Sequence, residues 1–459
     1  MTAQTKGDAF RAVRPALVIG PTRSPRRRSA VAQRGRLPPA QVGRLCEEAS
    51  LVERILSSEV SAHVGARVRL AGWLHAKRDL GSVSFGILRD RAGLAQIVAS
   101  SPLELQLETV FEVEADAVAA PQAPGGAELR EPVFHVLSEP VATPPVELRR
   151  PKLKENLPFV LDHAAVALRH PRQRAAFEVA AASLTGFRAA LDGLGFTEIS
   201  TPKIVAAATE SGANVFTLDF FGQTAYLAQS PQLYKQVMVG VFERVYETGH
   251  VFRAEPHDTT RHLAEYTSLD AELGFVADHL DVMRVVREVI ASMVTSVRER
   301  APRAVALLGV ELPEVPAEIP SVHFADTGVD DVDLAPADER RLCEHHGELV
   351  FVTGYPMAKR PFYTHPEPER PQYSNSFDLL FRGLEIVTGG QRLHRYEDYV
   401  AALGGEIEPF AGYLAAFRHG MPPHGGFALG LERWVARLVG AENIRETTLF
   451  PRDRTRLAP

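Results

Sequence analysis

The spacing of apolar runs in residues 159–459 constrains the fold more than any other feature of the sequence. Short runs typical of strands occur at 225–227, 244–252, 269–275 and 384–388, without regular helices between them. Neighbouring parallel strands need a long crossover, usually a helix, whereas antiparallel strands can be joined by hairpins. The pattern therefore predicts a mainly antiparallel sheet and disfavours a doubly wound parallel fold.

Helical spacing of apolar residues appears in two longer segments of this region. The segment 177–194 ends before Gly195, and the segment 281–298 has the pattern of a surface amphipathic helix. A third helix is expected to begin within 229–236, because Pro231 suits a first helical turn. We therefore predict an α+β domain, with helices flanking the sheet, over residues 171–459.

Length and composition limit the remaining possibilities. A chain of 459 residues is long enough for two to four domains, and 45% hydrophobic with 24% charged residues is ordinary for a globular protein. No run of about 18 uncharged apolar residues occurs, so we expect no membrane span. Two cysteines, Cys46 and Cys343, exclude a disulfide framework and fit a reducing compartment, so we expect a cytoplasmic protein.

The first 50 residues differ in composition from the rest. Residues 1–44 contain Lys6 and nine arginines against the single acidic Asp8, a net charge of +9, which leaves −15 for the rest of a chain of net charge −6. We expect residues 1–50 to be disordered. They could be a solvated tail or upstream sequence from a misassigned start, a basic arm for nucleic acid, or an organelle transit peptide. The acidic body argues against binding nucleic acid by bulk charge.

Residues 51–142 are predicted to form a small β domain. The segment 67–77 alternates between two faces, and further short runs follow at 83–88, 94–99, 110–118 and 133–137. We expect one face to be buried and the other to be basic and outward. The predicted inner face has Val68, Leu70 and Leu74, and the outer face has Arg67, Arg69, Trp73, His75 and Lys77.

Five short strands in this length are typical of an OB-fold barrel, a fold that binds single-stranded nucleic acid through aromatic side chains and a basic groove. From the pattern alone, Trp73 could equally be a core residue. For Phe85 the pattern alone favours a core position, because the residue shares its parity with Val83 and Ile87. The proline-rich and basic stretch within 143–170 is expected to be a hinge between the two domains.

Phosphate binding in the large domain must depend on side chains. The sequence has no P-loop, and Gly425–Gly430 only loosely resembles a dinucleotide fingerprint. Arginine forks bind phosphate in a bidentate manner, which makes Arg253 and Arg433 candidates, although either alone could be a solvated surface charge. Glu385 lies within an apolar run, where a carboxylate must be paired or bind a metal.

Seven ordered segments together resemble one enzyme family, the class II aminoacyl-tRNA synthetases. The match is closest to aspartyl-tRNA synthetases of the archaeal and eukaryotic type, and it covers roughly residues 51–459. The bacterial type is excluded because the region between the second and third class motifs is short. The segments are 72–81, 229–236, 251–255, 261–263, 383–392, 423–433 and 449–459.

The resemblance implies an N-terminal OB-fold anticodon-binding domain and a class II catalytic domain. It implies that aspartate attacks the α-phosphate of ATP and that the aspartyl group then passes to the 3′ end of tRNA. Mg²⁺ would be bound by Glu385 and Thr388. The implied ATP-binding residues are Arg253, Ala254, Glu255, Arg261, His262, Leu263, Glu385, Gly430, Leu431, Glu432 and Arg433.

The amino-acid pocket implied by the resemblance contains two cations. Lys235 and Arg392 would pair with the side-chain carboxylate of aspartate, which disfavours asparaginyl-tRNA synthetase because a neutral amide would leave a buried lysine unpaired. Glu210 and Gln232 would bind near the α-ammonium group. The complete implied aspartate set is Glu210, Gln232, Lys235, Arg253, Thr388 and Arg392.

Positions implied to recognise tRNA lie in the small domain. They are Trp73, His75, Arg78, Phe85 and Gln96. His75 and Pro124 match family members that charge both tRNA(Asp) and tRNA(Asn), an activity that requires an amidotransferase to convert Asp-tRNA(Asn). The alternative is a strictly tRNA(Asp)-specific enzyme in which His75 merely faces solvent.

Other functions fit parts of the pattern. The resemblance implies a homodimer through the region of Pro202. Asparaginyl-tRNA synthetase, an amide-forming paralogue that does not use tRNA, and a catalytically inactive RNA-binding regulator are the alternatives. The paralogue lacks the small domain, and the intact Arg253, Glu385, Arg392 and Arg433 argue against the regulator.

Overall fold

The computed structural model describes residues 52–206 and 215–458, and all structural statements concern these ranges. The predictions for the extension 1–50 and for Glu210 lie outside the described residues. The described chain forms a small β-barrel followed by a larger domain built on an eight-stranded sheet. None of its helices combines the length and the apolar character that crossing a bilayer requires.

The N-terminal domain is a closed barrel with the strand order β1-β2-β3-β5-β4. Neighbouring strands are antiparallel except β3 and β5, which are parallel. This confirms the predicted OB-type barrel. The strands are β1 Arg67–Leu80, β2 Val83–Arg89, β3 Leu94–Ala99, β4 Val110–Ala119 and β5 Ala127–Ser138.

The regular alternation of β1 ends at His75. Leu74 pairs with Leu88 and Ala76 pairs with Ile87, so His75 is an extra residue in a β-bulge. The bulge changes the parity of the strand, and the imidazole is only 7% exposed. The prediction that His75 lies on the outer face of the barrel, and the alternative that it faces solvent, are therefore both wrong.

The second domain contains ten α-helices and eleven strands in the described ranges. Its helices are α1 Leu157–Asp162, α2 Ala164–Ala167, α3 Pro171–Gly193, α4 Gln232–Phe242, α5 His279–Arg300, α6 Pro302–Leu308, α7 Pro336–His346, α8 Tyr396–Ala402, α9 Ala411–Arg418 and α10 Leu431–Val439. Its strands are β6 Thr197–Glu198, β7 Ile204–Val205, β8 Thr217–Phe220, β9 Gln223–Leu227, β10 Arg244–Phe252, β11 Glu265–Gly274, β12 Ser321–His323, β13 Leu349–Thr353, β14 Ser376–Phe381, β15 Leu384–Gln391 and β16 His424–Gly430.

The central sheet has the order β12-β13-β14-β15-β16-β11-β10-β6. Only its two outermost pairs, β12 with β13 and β10 with β6, are parallel. The predicted mainly antiparallel sheet is thus confirmed. A separate small sheet has the order β7-β9-β8.

One face of the central sheet is covered by α3, α5 and α10. The helices α3 and α5 approach closely, since a Cβ atom on Gly186 would lie 2.6 Å from the Cα atom of Met293. Trp434 is fully buried in this layer, and its indole nitrogen donates to the Ser183 hydroxyl at 3.0 Å. The apolar residues of β11 face this core, so Ser268 and its alternate neighbours point to the opposite face.

Candidate active site

A cavity lies on the opposite face of the sheet, above β11, β15 and β16. Two of the predicted ATP residues, Ala254 and Leu431, do not line it. Further lining residues that sequence reasoning missed include Tyr266 and Ser268 on β11. The predicted ATP residues that line the cavity are Arg253, Glu255, Arg261, His262, Leu263, Glu385, Gly430, Glu432 and Arg433.

One wall of the cavity is the loop between β10 and β11. It begins at Arg253, whose backbone N–H donates to the Ala264 carbonyl at 2.9 Å and whose guanidinium lies 5.8 Å from the centre of the Tyr266 ring. Arg445 anchors the loop, because its Nη1 donates to the Thr259 carbonyl at 2.9 Å and its Nη2 lies 2.5 Å from Asp258 Oδ1. The loop is therefore tied to the C-terminal segment.

A second arginine of the loop is held from outside it. Arg261 Nη2 lies 2.6 Å from Glu339 Oε2 on α7. Burial raises the pKa of Glu339, although Arg261 opposes the shift. The neighbouring His262 accepts or donates one hydrogen bond with the Thr259 hydroxyl at 2.6 Å, and burial followed by Arg433 lowers its pKa. His262 is thus a neutral polar group in the cavity wall at neutral pH.

The other wall carries a third arginine and two carboxylates. Arg433, in the first turn of α10, has its Nη1 3.7 Å from Glu385 Oε1. Burial and then the Asp378 carboxylate raise the pKa of Glu385 to about 7. The Glu432 carboxylate accepts from the Thr267 N–H at 3.0 and 3.1 Å, and burial raises its pKa to about 7. Arg253, Arg261 and Arg433 thus line the same cavity.

Oxygen ligands for a metal occur beside Arg433. Glu385 and Thr388 both line the cavity, and Asp378 is paired with Thr388 across β14 and β15. Arg360 donates to both oxygens of Asp378, at 3.1 and 3.2 Å, and its Nη1 lies 3.4 Å from the Thr388 hydroxyl. Carboxylate and hydroxyl oxygens are hard donors of the kind that Mg²⁺ prefers, so the donor set fits this ion.

A buried ion cluster lies next to the cavity. Lys235 Nζ is 3.0 Å from Asp270 Oδ1 and 3.3 Å from Glu272 Oε2, and Arg392 Nε is 2.9 Å from Glu272 Oε1. Lys235 is 1% exposed. Although burial opposes it, the charges of Arg392 and Lys235 lower the pKa of Glu272. The structure therefore brings Lys235 and Arg392 together, as predicted, and adds two acidic partners that were not.

Close packing of backbone surrounds this cluster. A Cβ atom on Gly426 would lie 2.0 Å from Glu272 Oε2, so only glycine fits there. Arg392 Nη2 donates to the Gly426 carbonyl at 2.9 Å, and Lys235 Nζ donates to the Phe427 carbonyl at 3.0 Å. Both cations are therefore fixed in position. Gln232, the first residue of α4, is also buried.

The outer face of the barrel carries the other predicted tRNA residues. Arg78 is paired with Phe85, and both point away from the buried Leu88. Trp73 is 37% exposed, so it and Phe85 are not core residues. Gln96 is half-buried, and its amide donates to Glu128 Oε2 at 2.9 Å. Pro124 is exposed in the turn between β4 and β5.

A closed five-stranded barrel joined to an antiparallel sheet with an arginine-lined cavity defines a class II synthetase architecture. The family described as tRNA synthetases class II (D, K and N) matches residues 156–454, and the chain belongs to this family. The protein is therefore an aminoacyl-tRNA synthetase, and ATP is its substrate.

Two sequence relatives and one solved structure that resemble the chain are also named as aminoacyl-tRNA synthetases or tRNA ligases. The chain is 46% identical over 433 residues to the aspartate–tRNA(Asp/Asn) ligase of Deinococcus radiodurans, covering 89% of this chain and all of the relative. It is 46% identical over 424 residues to the ligase of the same name from Thermus thermophilus, covering 88% and 100%. The structure of Pyrococcus horikoshii asparaginyl-tRNA synthetase with asparaginyl-adenylate is 30% identical, with a TM-score of 0.83, and the match covers 89% of this chain and 100% of that one.

Proposed function

We propose that the protein activates L-aspartate with ATP and transfers it to both tRNA(Asp) and tRNA(Asn). The observation that carries the choice of amino acid is the buried pair of cations, Lys235 and Arg392, beside the arginine-lined cavity. Both cations already have acidic partners, Asp270 and Glu272, and charge-assisted hydrogen bonds from them to a side-chain carboxylate would be stronger than hydrogen bonds to a neutral amide.

The first half-reaction needs positioning more than acid–base chemistry. An oxygen of the substrate α-carboxylate attacks the α-phosphorus, and pyrophosphate leaves with the electrons of the broken P–O bond. Charge neutralisation and alignment dominate such displacements. Arg253 would bind the α-phosphate together with the substrate carboxylate, and Arg433 would bind the distal phosphates; both arginines line the cavity. No side chain has to act as nucleophile.

The second half-reaction transfers the aspartyl group. The 3′-hydroxyl oxygen of the terminal adenosine attacks the carbonyl carbon of the adenylate. The bond from that carbon to the phosphate oxygen breaks, and AMP leaves with the hydroxyl proton on its phosphate. Glu432, held by the Thr267 N–H, and the neutral His262 complete the polar wall around the nucleotide.

Mg²⁺ is part of the proposal because the donor set fits it. Glu385 and Thr388, which both line the cavity, would bind the ion, and Asp378 is the cross-strand partner of Thr388. When bound, the ion neutralises phosphate charge. In the protein itself, Arg360 neutralises Asp378 and Arg433 contacts Glu385, so these carboxylates have cationic partners within the fold.

The test of the amino-acid assignment is ATP–pyrophosphate exchange with aspartate and with asparagine as alternative substrates. We expect exchange with aspartate at far lower concentration. Exchange that prefers asparagine would contradict the proposal and would favour the second candidate, asparaginyl-tRNA synthetase. The likeness to the Pyrococcus horikoshii enzyme supports this candidate, whereas Lys235 argues against it.

Charging of tRNA(Asn) is supported by the relatives whose names include both tRNAs. Trp73, Arg78, Phe85 and Gln96 are on the outer face, where bases can stack and form hydrogen bonds. The buried His75 can affect anticodon choice only through its neighbours. The proposal implies an amidotransferase that converts the Asp-tRNA(Asn) product.

We also infer a homodimer in the cytoplasm. The edge strand β6, just before Pro202, leaves one side of the central sheet unpaired within the described chain. Phe242 and Phe275 are 47% and 72% exposed, and the segments that carry them are joined by the hydrogen bond from the Gly274 N–H to the Glu243 carbonyl. Light scattering on the purified protein tests the homodimer, and a monomeric mass would contradict it.

A further inference from the structure

The Glu108 carboxylate lies between the barrel and the catalytic domain. Arg89, at the end of β2, donates to it through two nitrogens, both at 2.8 Å. Arg169, which precedes α3, donates to the same carboxylate at 3.0 Å. Glu108 is only 6% exposed, and its φ of +69° is unusual for a residue other than glycine.

We propose that the Glu108–Arg169 ion pair is a clamp that fixes the barrel relative to the catalytic domain during tRNA binding. Glu108 and Arg169 are then positioning residues, because neither lines the cavity or lies on the outer face of the barrel. The inference rests on the proposed function, since it concerns a tRNA that must contact both domains at once.

The barrel side of the clamp reaches the anticodon surface. Arg89 lies 5.7 Å from the centre of the Trp73 ring, in a cation–π arrangement, and its Nη1 is 3.0 Å from His75 Nδ1. One arginine therefore supports an exposed aromatic residue of the recognition strand and also contacts Glu108. The bulge that buries His75 is what brings its imidazole to Arg89.

Other contacts between the domains involve backbone and would survive loss of the clamp. Arg174 on α3 donates to the carbonyls of Asp90 and Arg91 at 3.0 and 3.2 Å, and Arg303 on α6 donates to that of Ala92 at 2.8 Å. These bonds hold the turn between β2 and β3. Breaking the clamp should therefore loosen the angle of the barrel without detaching it.

The expected consequence follows from binding a rigid ligand at two sites. When both sites are held in the correct geometry, the second contact is intramolecular and the ordering cost is already met. A loose barrel lowers the affinity for complete tRNA but not for an isolated anticodon stem-loop, because the hairpin touches only the barrel.

The experiment compares binding of tRNA(Asp) transcript and of its anticodon stem-loop by fluorescence anisotropy. Arg169→Gln breaks the ion pair between Glu108 and the catalytic domain but leaves the Arg89–Glu108 pair. We expect about five-fold weaker binding of complete tRNA and unchanged binding of the hairpin. Arg169→Lys should restore most of the affinity. The control is Asp116→Asn, which removes an exposed ion pair with Arg67 between two strands of the same barrel.

A Glu108→Gln variant extends the series. The substitution weakens the ion pairs of residue 108 with Arg89 and with Arg169. We therefore expect it to weaken binding of complete tRNA and, to a smaller extent, of the hairpin. Arg169 is 44% exposed, so its variant should remain folded even if Glu108→Gln does not.

Three results with Arg169→Gln would overturn the clamp. The first is unchanged binding of complete tRNA, and the second is an equal loss of affinity for complete tRNA and for the hairpin. The third is a fall of about one in the salt slope of tRNA binding, which would mean that Arg169 contacts a phosphate directly. Because these measurements need no catalysis, they remain interpretable if the wild-type protein fails to exchange pyrophosphate with aspartate, a result that would instead refute the proposed function.

Discussion

Replacing Lys235 by methionine tests how the protein recognises aspartate. The side chain of Lys235 is 1% exposed, and its ammonium contacts Asp270, Glu272 and the Phe427 carbonyl. Loss of one charge-assisted hydrogen bond to the substrate carboxylate is worth about 1.5–3 kcal/mol. At about 1.4 kcal/mol per factor of ten, KM for aspartate should rise about 10- to 150-fold.

The same substitution should also destabilise the fold. Methionine leaves two buried carboxylates with Arg392 as their remaining cation, and breaking a buried pair typically costs about 3–5 kcal/mol. The pKa of Glu272 is held low in the native protein, so its ionised form stabilises the fold above its unfolded pKa. In the variant Glu272 can take up a proton. The difference in unfolding free energy should therefore be larger at pH 8 than at pH 5.

The assay is pyrophosphate exchange with aspartate and ATP varied separately. We expect KM for ATP to change less than about two-fold, because Arg253, Arg261 and Arg433 are unaltered. Lys203→Met is the matched control, because Lys203 pairs with Glu247, which keeps two hydrogen bonds from Thr201. Equal increases in both KM values, or no increase for aspartate, would refute the charge-pair reasoning.

Three further substitutions test the cavity and the barrel. Arg253→Ala should abolish pyrophosphate exchange while leaving the urea midpoint nearly unchanged, and normal exchange would contradict its role on the α-phosphate. Glu385→Gln should raise the Mg²⁺ concentration for half-maximal exchange by about ten-fold, and Mn²⁺ binding followed by electron paramagnetic resonance should weaken in parallel. Burial lowers the pKa of His75 to about 4, so the unfolded chain binds the extra proton between about pH 6.5 and 4 and stability falls there on acidification. His75→Leu should therefore reduce the stability loss between pH 7.5 and 5.0 by about 1–2 kcal/mol, as measured by urea unfolding, and an unchanged loss would mean that His75 is protonated in the native state.

Much of the cavity could be predicted because its residues belong to continuous segments. Arg253 directly follows one strand and Arg433 lies in the first turn of the helix after another, so a local pattern names them, whereas Glu255 and Arg261 were implied by the resemblance to the family. The antiparallel sheet was predictable for the same reason, because the strands are short apolar runs. The fold and much of the arginine-lined cavity are therefore encoded in local sequence.

The acidic members of the site were missed although a signal existed. Asp270 and Asp378 lie within apolar runs, and the reasoning that singled out Glu385 applies equally to them. Which cation compensates each one depends on pairing between distant strands. Arg360 reaches Asp378 only because the loop after β13 folds back over β14, and no local pattern encodes that contact.

His75 shows where periodicity fails. Strict alternation placed it outside, but one unpaired residue in β1 reversed the parity. The bulge is set by the register with β2, a property of the folded barrel rather than of the strand itself. Glu108 was invisible for a related reason, since its partners are 19 and 61 residues away in sequence.

The most direct test of the proposed function is aminoacylation of purified tRNA(Asp) and tRNA(Asn) transcripts with labelled aspartate. We predict aspartylation of both, with comparable kcat/KM values. Aspartylation of tRNA(Asp) alone would contradict the dual specificity, and aspartylation of neither, with exchange intact, would contradict the proposed function of the protein in charging tRNA.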